Sequence, residues 1–263
     1  MLFIMPTDRT AIFDSHFHII TPGFPLFSNQ GFTPDFFTTS DYLDRVKNYD
    51  LLGGAVISGS FQRNDHTYLM DALKNLGKNF VGVIQLPPDT SDEKILALNE
   101  HGVRAVRFNL KRGDSISAAT IKDFAQRVYD LANWHVELYV DSANLAPLES
   151  TLLTLPSVSI DHLGLSQSGL KLLLSLAEKG VRVKATGFGR LDFNPSNAIK
   201  DLYQANPSCL MFGSDLPSTR APRPFRDEDV TLIKNTLDET GANQVLWQNA
   251  KAFYFHQNER IGS

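Results

Sequence analysis

Two histidines separated by a single residue stand near the start of the chain, in the apolar stretch IFDSHFHIITP. Successive side chains of an extended strand point to opposite faces, so His16 and His18 would share a face with Asp14, and Phe13 and Phe17 would take the other. Buried polar side chains cost free energy unless they have partners. Two imidazoles on one buried face therefore predict a metal, a substrate or a polar neighbour. The motif alone leaves open a pair of satisfied core histidines or an exposed sheet edge.

The elements that must position these histidines alternate along the whole chain. Runs rich in β-branched and aromatic residues predict strands at AIFDSHFHI, GGAVISGS, FVGVIQL, VRAVRFNL, WHVELYVD, VSIDHLG, VRVKATGFG and CLMFGSD. Amphipathic stretches predict helices at DYLDRVKNYD, HTYLMDALKNLG, SDEKILALNEHG, AATIKDFAQRVYDLAN, LAPLESTLLTL, SGLKLLLSLAEKG, SNAIKDLYQA and DEDVTLIKNTLDETGA. Ser91 and Ser117 precede two of these stretches and are predicted to cap them.

These eight strand–helix repeats favour a (β/α)8 barrel over a doubly wound sheet. No GxGxxG motif opens the first strand–helix turn, as a dinucleotide-binding fold would require. The sequence therefore predicts an α/β fold, a single-domain TIM barrel over residues 1–263. A long loop rich in Gly, Pro and Phe, at about residues 21–40, follows the first strand. Loops of this length are uncommon unless they are functional.

Barrel active sites lie at the C-terminal ends of the strands. Polar side chains stand at most of the predicted strand ends: His16 and His18, Ser58 and Ser60, Arg107, Asn109, Lys111 and Arg112, Glu137, Tyr139 and Asp141, Asp161 and His162, Arg190, and Asp215. Unrelated structural roles would scatter such residues over both ends of a barrel. Their concentration at one end predicts a catalytic mouth.

Several polar residues also have a purely structural interpretation. Asp161 falls on the strand face opposite Ile160 and His162, which predicts a structural role. Arg107 would suit a buried ion pair, and Asp215 could cap the turn that follows it. The remaining histidines stand at the starts of predicted elements and are predicted to lie at the surface: His66, His101, His135 and His256.

Composition excludes several classes of protein. The chain has 263 residues, of which 42% are hydrophobic and 21% are charged, with a formal net charge of −4. That charge gives no reason to expect nucleic acid or an acidic membrane as a partner. No apolar run approaches the ~18 residues of a membrane span, the N-terminal MLFIM is too short for a signal peptide, and the single cysteine fits a reducing compartment. We expect a cytoplasmic protein, and the sequence leaves open whether it is a monomer or a homodimer.

Three motifs carry a resemblance to a known superfamily. DSHFH at the first strand, IDHLG at the sixth and GSDLP at the eighth resemble the amidohydrolases. More narrowly, VRFNLKR, WHVELYVDSANL, VKATGFGRLD and WQNAKAFY resemble the family of 2-pyrone-4,6-dicarboxylate lactonases, which serve aromatic catabolism. The motifs occur in the same order, from Ile12 to Tyr254. The ordered set is far more specific than the paired histidines alone.

The resemblance implies a role for each matching residue. Histidines at the first and sixth strands surround the lactone, a strand-eight aspartate is the general base toward water, and arginines hold the carboxylates of a small anionic substrate. The matching catalytic residues are His16, His18, His162 and Asp215. The matching substrate-binding residues are Arg107, Arg112, Arg190, Tyr139 and Ser60. These roles suit lactone hydrolysis, since a carboxylate can take the proton of water and the guanidinium fork binds carboxylates.

The chain departs from the family's pattern after the strand-eight aspartate, where Leu216 and Ser218 replace an aromatic residue and a histidine. A tyrosine of the family's first loop becomes Phe32. The scissile ring can therefore differ even where the chemistry is shared.

The sequence leaves open whether the protein uses a cofactor and which class of reaction it catalyses. The resemblance implies chemistry without a cofactor, and the alternative is one divalent metal such as Zn²⁺ on His16, His18 and Asp215. The first hypothesis is a lactonase for a small carboxylated lactone. The alternatives are a metal-dependent amidohydrolase or decarboxylase of a small unsaturated carboxylic acid, and a barrel that binds such an acid without catalysis.

Overall fold

A computed structural model describes residues 9–112 and 116–255. The strands are β1 Ala11–Phe17, β2 Asp50–Ile57, β3 Phe80–Ile84, β4 Val103–Asn109, β5 His135–Tyr139, β6 Val158–Ile160, β7 Arg182–Ala185 and β8 Leu210–Phe212. The helices are α1 Thr39–Val46, α2 Thr67–Leu76, α3 Asp92–Glu100, α4 Ala118–Ala132, α5 Glu149–Leu152, α6 Leu170–Glu178, α7 Pro195–Ala205, α8 Asp227–Thr236, α9 Glu239–Asn243 and α10 Asn249–Phe255. His256 lies outside the described residues. Within them, no helix is long and apolar enough to cross a membrane.

The eight strands form one parallel sheet in the order β1 to β8, each paired with its sequence neighbour. The C-terminal end of β1 meets the segment that follows β8, where Asp215 N donates to His16 O and His18 N donates to Leu216 O, both at 2.7 Å. A Cβ atom added to Gly213 would lie 2.7 Å from the Cβ of His16, so only glycine allows this approach. The sheet is thus a nearly closed barrel surrounded by helices, and the predicted TIM barrel is confirmed.

The core is divided between the outside and the inside of the sheet. Helices and outward-facing strand residues share one large hydrophobic cluster. A second cluster joins Phe13, Met211 and Tyr254 to residues of β2, β3 and β4. Because this cluster includes α10, the last helix closes the bottom of the barrel, opposite the ends where the predicted site residues stand.

A layer of buried charges lies above this floor. Lys184 donates to Glu137 and to the carbonyl of Ser15, and the Tyr254 hydroxyl also donates to Glu137. Burial alone would raise the pKa of Glu137, but the Lys184 ammonium and the hydrogen bond with His135 together lower that pKa to about 2. The ring of His135 is fully buried, 3.0 Å from Glu137. The prediction that His135 lies at the surface is therefore wrong, because its partner charges lie inside the barrel.

Local details separate the predicted from the observed elements. Ser91 and Ser117 cap α3 and α4 as predicted, each accepting a backbone hydrogen bond three residues on. The fifth predicted helix is reduced to one 3-10 turn and α5, and the last is divided into α8 and α9. The prediction that side chains alternate strictly between the two faces of β1 is wrong, because the register of β1 with β2 shifts between Asp14 and Phe17. Phe17 consequently stacks on Tyr42 of α1, outside the sheet, while Phe13 stacks inside on Tyr254.

The carboxylate of Asp14 joins β1 to β8. One oxygen accepts from the backbone N–H groups of His16 and Ser214, at 3.2 and 2.8 Å. The other accepts from the hydroxyl groups of Ser214 and Tyr42, at 2.6 and 3.2 Å. Asp14 is fully buried, so these four donors have little access to water. The residue holds the backbone of His16 and the residue before Asp215 in one position.

We expect Asp14→Ala to lower the free energy of unfolding by about 3 kcal/mol or more, because several buried donors lose their acceptor. Asp14→Asn keeps one acceptor oxygen for the two backbone donors and should cost less than half as much. Denaturant unfolding followed by circular dichroism measures both, with Asp50→Ala on the exposed end of β2 as the control. Equal losses in the alanine and asparagine variants would contradict this role for the carboxylate.

Candidate active site

A cavity with about 390 Å³ of empty space opens at the C-terminal ends of the strands. Its lining residues are His18, Gly59, Ser60, Phe61, Arg107, Asn109, Arg112, Tyr139, His162, Arg190, Asp215, Thr219 and Arg220. Every predicted site residue except His16 therefore lies in this one lining. His16 lies directly beneath, with its ring centroid 4.8 Å from that of His162 and 5.3 Å from that of His18.

The tautomers of the paired histidines follow from their neighbours. His18 Nδ1 lies 2.7 Å from the carbonyl oxygen of Ile57, so Nδ1 carries the proton and Nε2 carries a lone pair. His16 Nδ1 lies 3.4 Å from the carboxylate of Asp161, which favours the same tautomer. Each Nε2 is 4.0 Å from Oδ1 of Asp215. Two imidazole lone pairs and a carboxylate oxygen thus converge on one buried point.

Burial keeps these imidazoles neutral. Desolvation lowers the pKa of His16, although the Asp161 carboxylate opposes this effect. The pKa values of His18 and His162 fall well below the usual range, because desolvation is reinforced by the nearby cationic Arg107 and Arg190. Neutral imidazoles do not supply the positive charge that would stabilise an oxyanion. They are suited to donate lone pairs.

Asp215 occupies a left-handed backbone conformation, with φ of 61°. Such a conformation is costly for a residue with a side chain and is concentrated at functional sites. Its Oδ2 accepts a hydrogen bond from Nε of Arg190 at 2.7 Å. Its Oδ1 is buried and has no hydrogen-bond partner among the described residues. Asp215 therefore presents one oxygen that is free to accept a proton or bind a cation.

Two of the predicted substrate-binding arginines already have carboxylate partners. Arg107 donates through Nε and Nη2 to one oxygen of Asp161, at 3.1 and 2.8 Å. Arg190 donates to Asp215 and, through Nη2, to the carbonyl of Thr219. Burial would lower the pKa of Arg190, but the charge and the hydrogen bond of the Asp215 carboxylate, together with other nearby acidic groups, raise that pKa. Both guanidiniums remain charged and are held in place at the cavity wall.

Asp161 corrects a prediction made from strand alternation. It was placed on the face opposite His162, yet its carboxylate lies inside the barrel between Arg107 and His16. β6 ends at Ile160, and His162 and Leu163 have positive φ values of 52° and 46°, so alternation does not extend to these residues. Burial would raise the pKa of Asp161, but Arg107, the neighbouring ring of His16 and the Lys184 ammonium together hold that pKa well below the usual range.

Tyr139 and His162 form one wall of the cavity. Their rings meet edge to face at 5.2 Å, and the guanidinium of Arg107 lies 5.1 Å from the Tyr139 ring centroid. Nδ1 of His162 is buried and has no hydrogen-bond partner among the described residues. Ser60, beyond the end of β2, lines the opposite side of the cavity with Phe61.

Sequence patterns did not predict the positions of some residues in and near this cavity. Arg220, five positions after Asp215, lines the cavity, although nothing in its immediate sequence context marks it. His66 was predicted to lie at the surface but is buried, with Nε2 2.9 Å from the carbonyl oxygen of Gln85. His101 is exposed as predicted.

The donor atoms form two overlapping groups that could hold a metal ion. One consists of His16, His18 and Asp215, and the other of His16, Asp161 and His162. In each group the donor atoms lie within 4.8 Å of one another. Zinc bonds of about 2.0–2.2 Å require donors somewhat closer than the 4.0 Å observed from each Nε2 to Asp215, so small side-chain shifts would complete the first group. The unpartnered Oδ1 of Asp215 and Nε2 of His16 fit this use.

Comparison with known protein families decides the identity of the barrel. The amidohydrolase family model matches residues 13–255, nearly the whole chain. The chain belongs to the amidohydrolase family. The expectation from DSHFH, IDHLG and GSDLP is thereby confirmed, and this amidohydrolase is an enzyme of the hydrolase type.

Two curated hydrolases are similar in sequence to this amidohydrolase. A 2-pyrone-4,6-dicarboxylate hydrolase of Comamonas testosteroni is 28% identical over 162 residues, which cover 57% of this chain and 51% of the relative. The match thus spans about half of that relative's length. A 4-sulfomuconolactone hydrolase of Hydrogenophaga intermedia is 23% identical, covering 96% of this chain and 90% of the relative.

Solved structures share the amidohydrolase barrel. A protein of Acinetobacter baumannii, provisionally assigned as a 2-pyrone-4,6-dicarboxylic acid hydrolase and containing citric acid, superposes with a TM-score of 0.80 at 22% identity, covering 93% of this chain and 99% of that one. A Pseudomonas putida protein with the same provisional assignment has a TM-score of 0.77 at 26% identity, covering 94% and 98%. These likenesses support the fold.

We expect His18 and His162 to remain neutral at pH 6, because burial holds both pKa values well below the usual range. Nitrogen-15 NMR of the imidazole rings measures protonation and tautomer, and each signal is assigned by its loss in the matching His→Gln variant. The unfolded chain takes up protons near its ordinary histidine pKa of about 6.5, so the stability that these groups contribute should decline as the pH falls below that value. Imidazolium signals from these rings at pH 6 would contradict the assignment.

Proposed function

We propose that this amidohydrolase opens a small carboxylated lactone by attack of water on the ring ester carbonyl. The observation that carries the proposal is the unpartnered Oδ1 of Asp215, which faces an arginine-lined cavity above neutral histidines. A free carboxylate oxygen can take a proton from water, and guanidiniums can hold the carboxylates of an anionic substrate. The hydrolase names of the two curated relatives support a lactone as the substrate class.

The proposed reaction uses two proton transfers, one from water to Asp215 and one from Asp215 to the departing ring oxygen. A water oxygen adds to the carbonyl carbon while Asp215 takes one proton from that water. The ring C–O bond then breaks, and the proton on Asp215 passes to the departing ring oxygen. The products are a new carboxylic acid, which ionises at neutral pH, and a hydroxyl or enol group. Each turnover therefore releases one proton to the solution.

The geometry of the histidines favours the metal-containing alternative over chemistry without a cofactor. His16, His18 and Asp215 would hold one divalent ion, because two lone pairs and an unpartnered carboxylate oxygen face one another with no proton between them. His18 has no proton on Nε2 to donate to a carbonyl oxygen while Nδ1 donates to Ile57. When bound, such an ion would supply a Lewis acid that polarises the ester carbonyl. Asp161 and the carbonyl of Ile57 orient the two imidazoles from behind, as outer-shell partners do in metal sites.

The three hypotheses differ in what they release. Lactone opening releases a proton, decarboxylation releases CO₂, and binding without catalysis releases neither. We would screen the purified protein against carboxylated lactones and unsaturated carboxylic acids with a pH indicator and a CO₂ trap. Proton release without CO₂ supports the lactonase, whereas CO₂ release supports the decarboxylase.

Asp215→Asn should lower kcat by a factor of about 10³, because the amide cannot accept the proton of the attacking water. The amide oxygen can still accept the hydrogen bond of Arg190, so the fold should persist. Asp201→Asn, on the exposed face of α7, is the matched control. Turnover within about tenfold of the wild type would exclude Asp215 as the base.

The purified protein should contain close to one divalent ion per chain after growth with added zinc, as measured by elemental mass spectrometry. His16→Ala and His18→Ala should each lose it, because a site with few ligands cannot spare one. His101→Ala, at the exposed end of α3, should retain it. A wild type without metal that keeps full turnover after dialysis against a chelator would show that the reaction proceeds without a cofactor.

A further inference from the structure

The guanidiniums of the cavity differ in their carboxylate partners. Arg107 is paired with Asp161 and Arg190 with Asp215. Arg112 and Arg220 line the same cavity, and neither lies within ion-pair distance of a carboxylate among residues 9–112 and 116–255. Two cations that have no carboxylate partner among the described residues attract anionic groups to the cavity.

Arg220 is held in place by the loop between β1 and α1. Its guanidinium lies 4.5 Å from the ring centroid of Phe32, a cation–π contact. It also donates to the side-chain oxygen of Asn29 at 3.1 Å and to the backbone carbonyl of the same residue. These contacts occupy one edge and one face of the guanidinium. Arg220 also lines the cavity, so an N–H group that Asn29 does not use can donate to a ligand there.

The same loop holds Arg112. Gln30 donates from Nε2 to the carbonyl oxygen of Arg112 at 3.0 Å, and Arg112 N donates to the side chain of Asn109 at 3.1 Å. The two arginines are close enough for their charges to interact: desolvation and the Arg112 cation lower the pKa of Arg220. An anion placed between them would relieve this repulsion.

We propose that Arg220 is a specificity-determining residue that, with Arg112, binds a further carboxylate of the substrate at the outer end of the cavity, away from the ester carbonyl. The proposal rests on the proposed function, since it assigns the substrate class of the same site. That class is a lactone with at least one carboxylate more than Arg107 and Arg190 bind. Phe32, which departs from the family's tyrosine, supplies the flat surface against which this guanidinium is positioned.

Binding of small carboxylates to the full chain tests this proposal without requiring turnover. Isothermal titration at constant ionic strength compares propane-1,2,3-tricarboxylate with glutarate, which lacks one carboxylate. In Arg220→Gln we expect Kd for the tricarboxylate to rise about tenfold, because a charge-assisted hydrogen bond is lost, and Kd for glutarate to change less than about twofold. Asn29→Ala should weaken the binding of the tricarboxylate alone, and its Kd should rise by a smaller factor than in Arg220→Gln.

Arg226→Gln is the matched control, because it removes the same charge from an exposed position six residues later. It should leave both Kd values unchanged, and thermal melting checks that each variant is folded. Equal weakening of both probes, an equal effect of Arg226→Gln, or no preference of the wild type for the tricarboxylate would each overturn the proposal. A protein that shows the expected selectivity but hydrolyses no lactone would refute the proposed function alone.

Discussion

The junction between the first and last strands is the constraint on which the site depends. A barrel closes only where its ends meet, and here they meet through backbone hydrogen bonds between His16 and Asp215 and between His18 and Leu216. Asp14 strengthens the same junction with a carboxylate that accepts four hydrogen bonds. Because the paired histidines and the strand-eight aspartate lie on the two sides of this junction, barrel closure and assembly of the site are one event. Gly213 belongs to the same constraint, since any side chain there would push the two strands apart.

Burial then sets the chemistry that the assembled residues can perform. A histidine near water could be a cation at neutral pH, but desolvation lowers the pKa of all three histidines here. Positive charge in the cavity comes from guanidiniums, which stay protonated when buried, and two of these are compensated by Asp161 and Asp215. The site therefore separates two tasks. Lone-pair donors lie at its floor, and fixed cations line its walls.

Much of this arrangement could be predicted from sequence, because a TIM barrel brings strand ends together whatever the details of packing. The alternation of elements predicted the barrel, and the barrel placed His18, Arg107 and Asp215 at one mouth. Predictions that required side-chain direction near an irregularity were wrong. Asp161 lies beyond the end of β6, and β1 shifts register after Asp14. A strict two-residue alternation therefore assigns Asp161 and Phe17 to the wrong faces. His135 was misplaced for another reason, since its partner Glu137, which also pairs with Lys184, occupies an interior position that no local pattern marks as paired.

Arg220 shows where local reasoning reaches its limit. Its position depends on Asn29 and Phe32, which lie nearly two hundred residues earlier in a loop without regular structure. Such a contact has no periodicity to reveal it. The long first loop was predicted to be functional only because loops of that length are rare, and a function for it stays a prediction. The loop contacts the arginines at the outer end of the cavity, while the strand before it supplies the histidines at the inner end. One continuous segment thus contributes to both ends of the cavity, so changes in this loop can alter which anions are bound without disturbing the residues around Asp215.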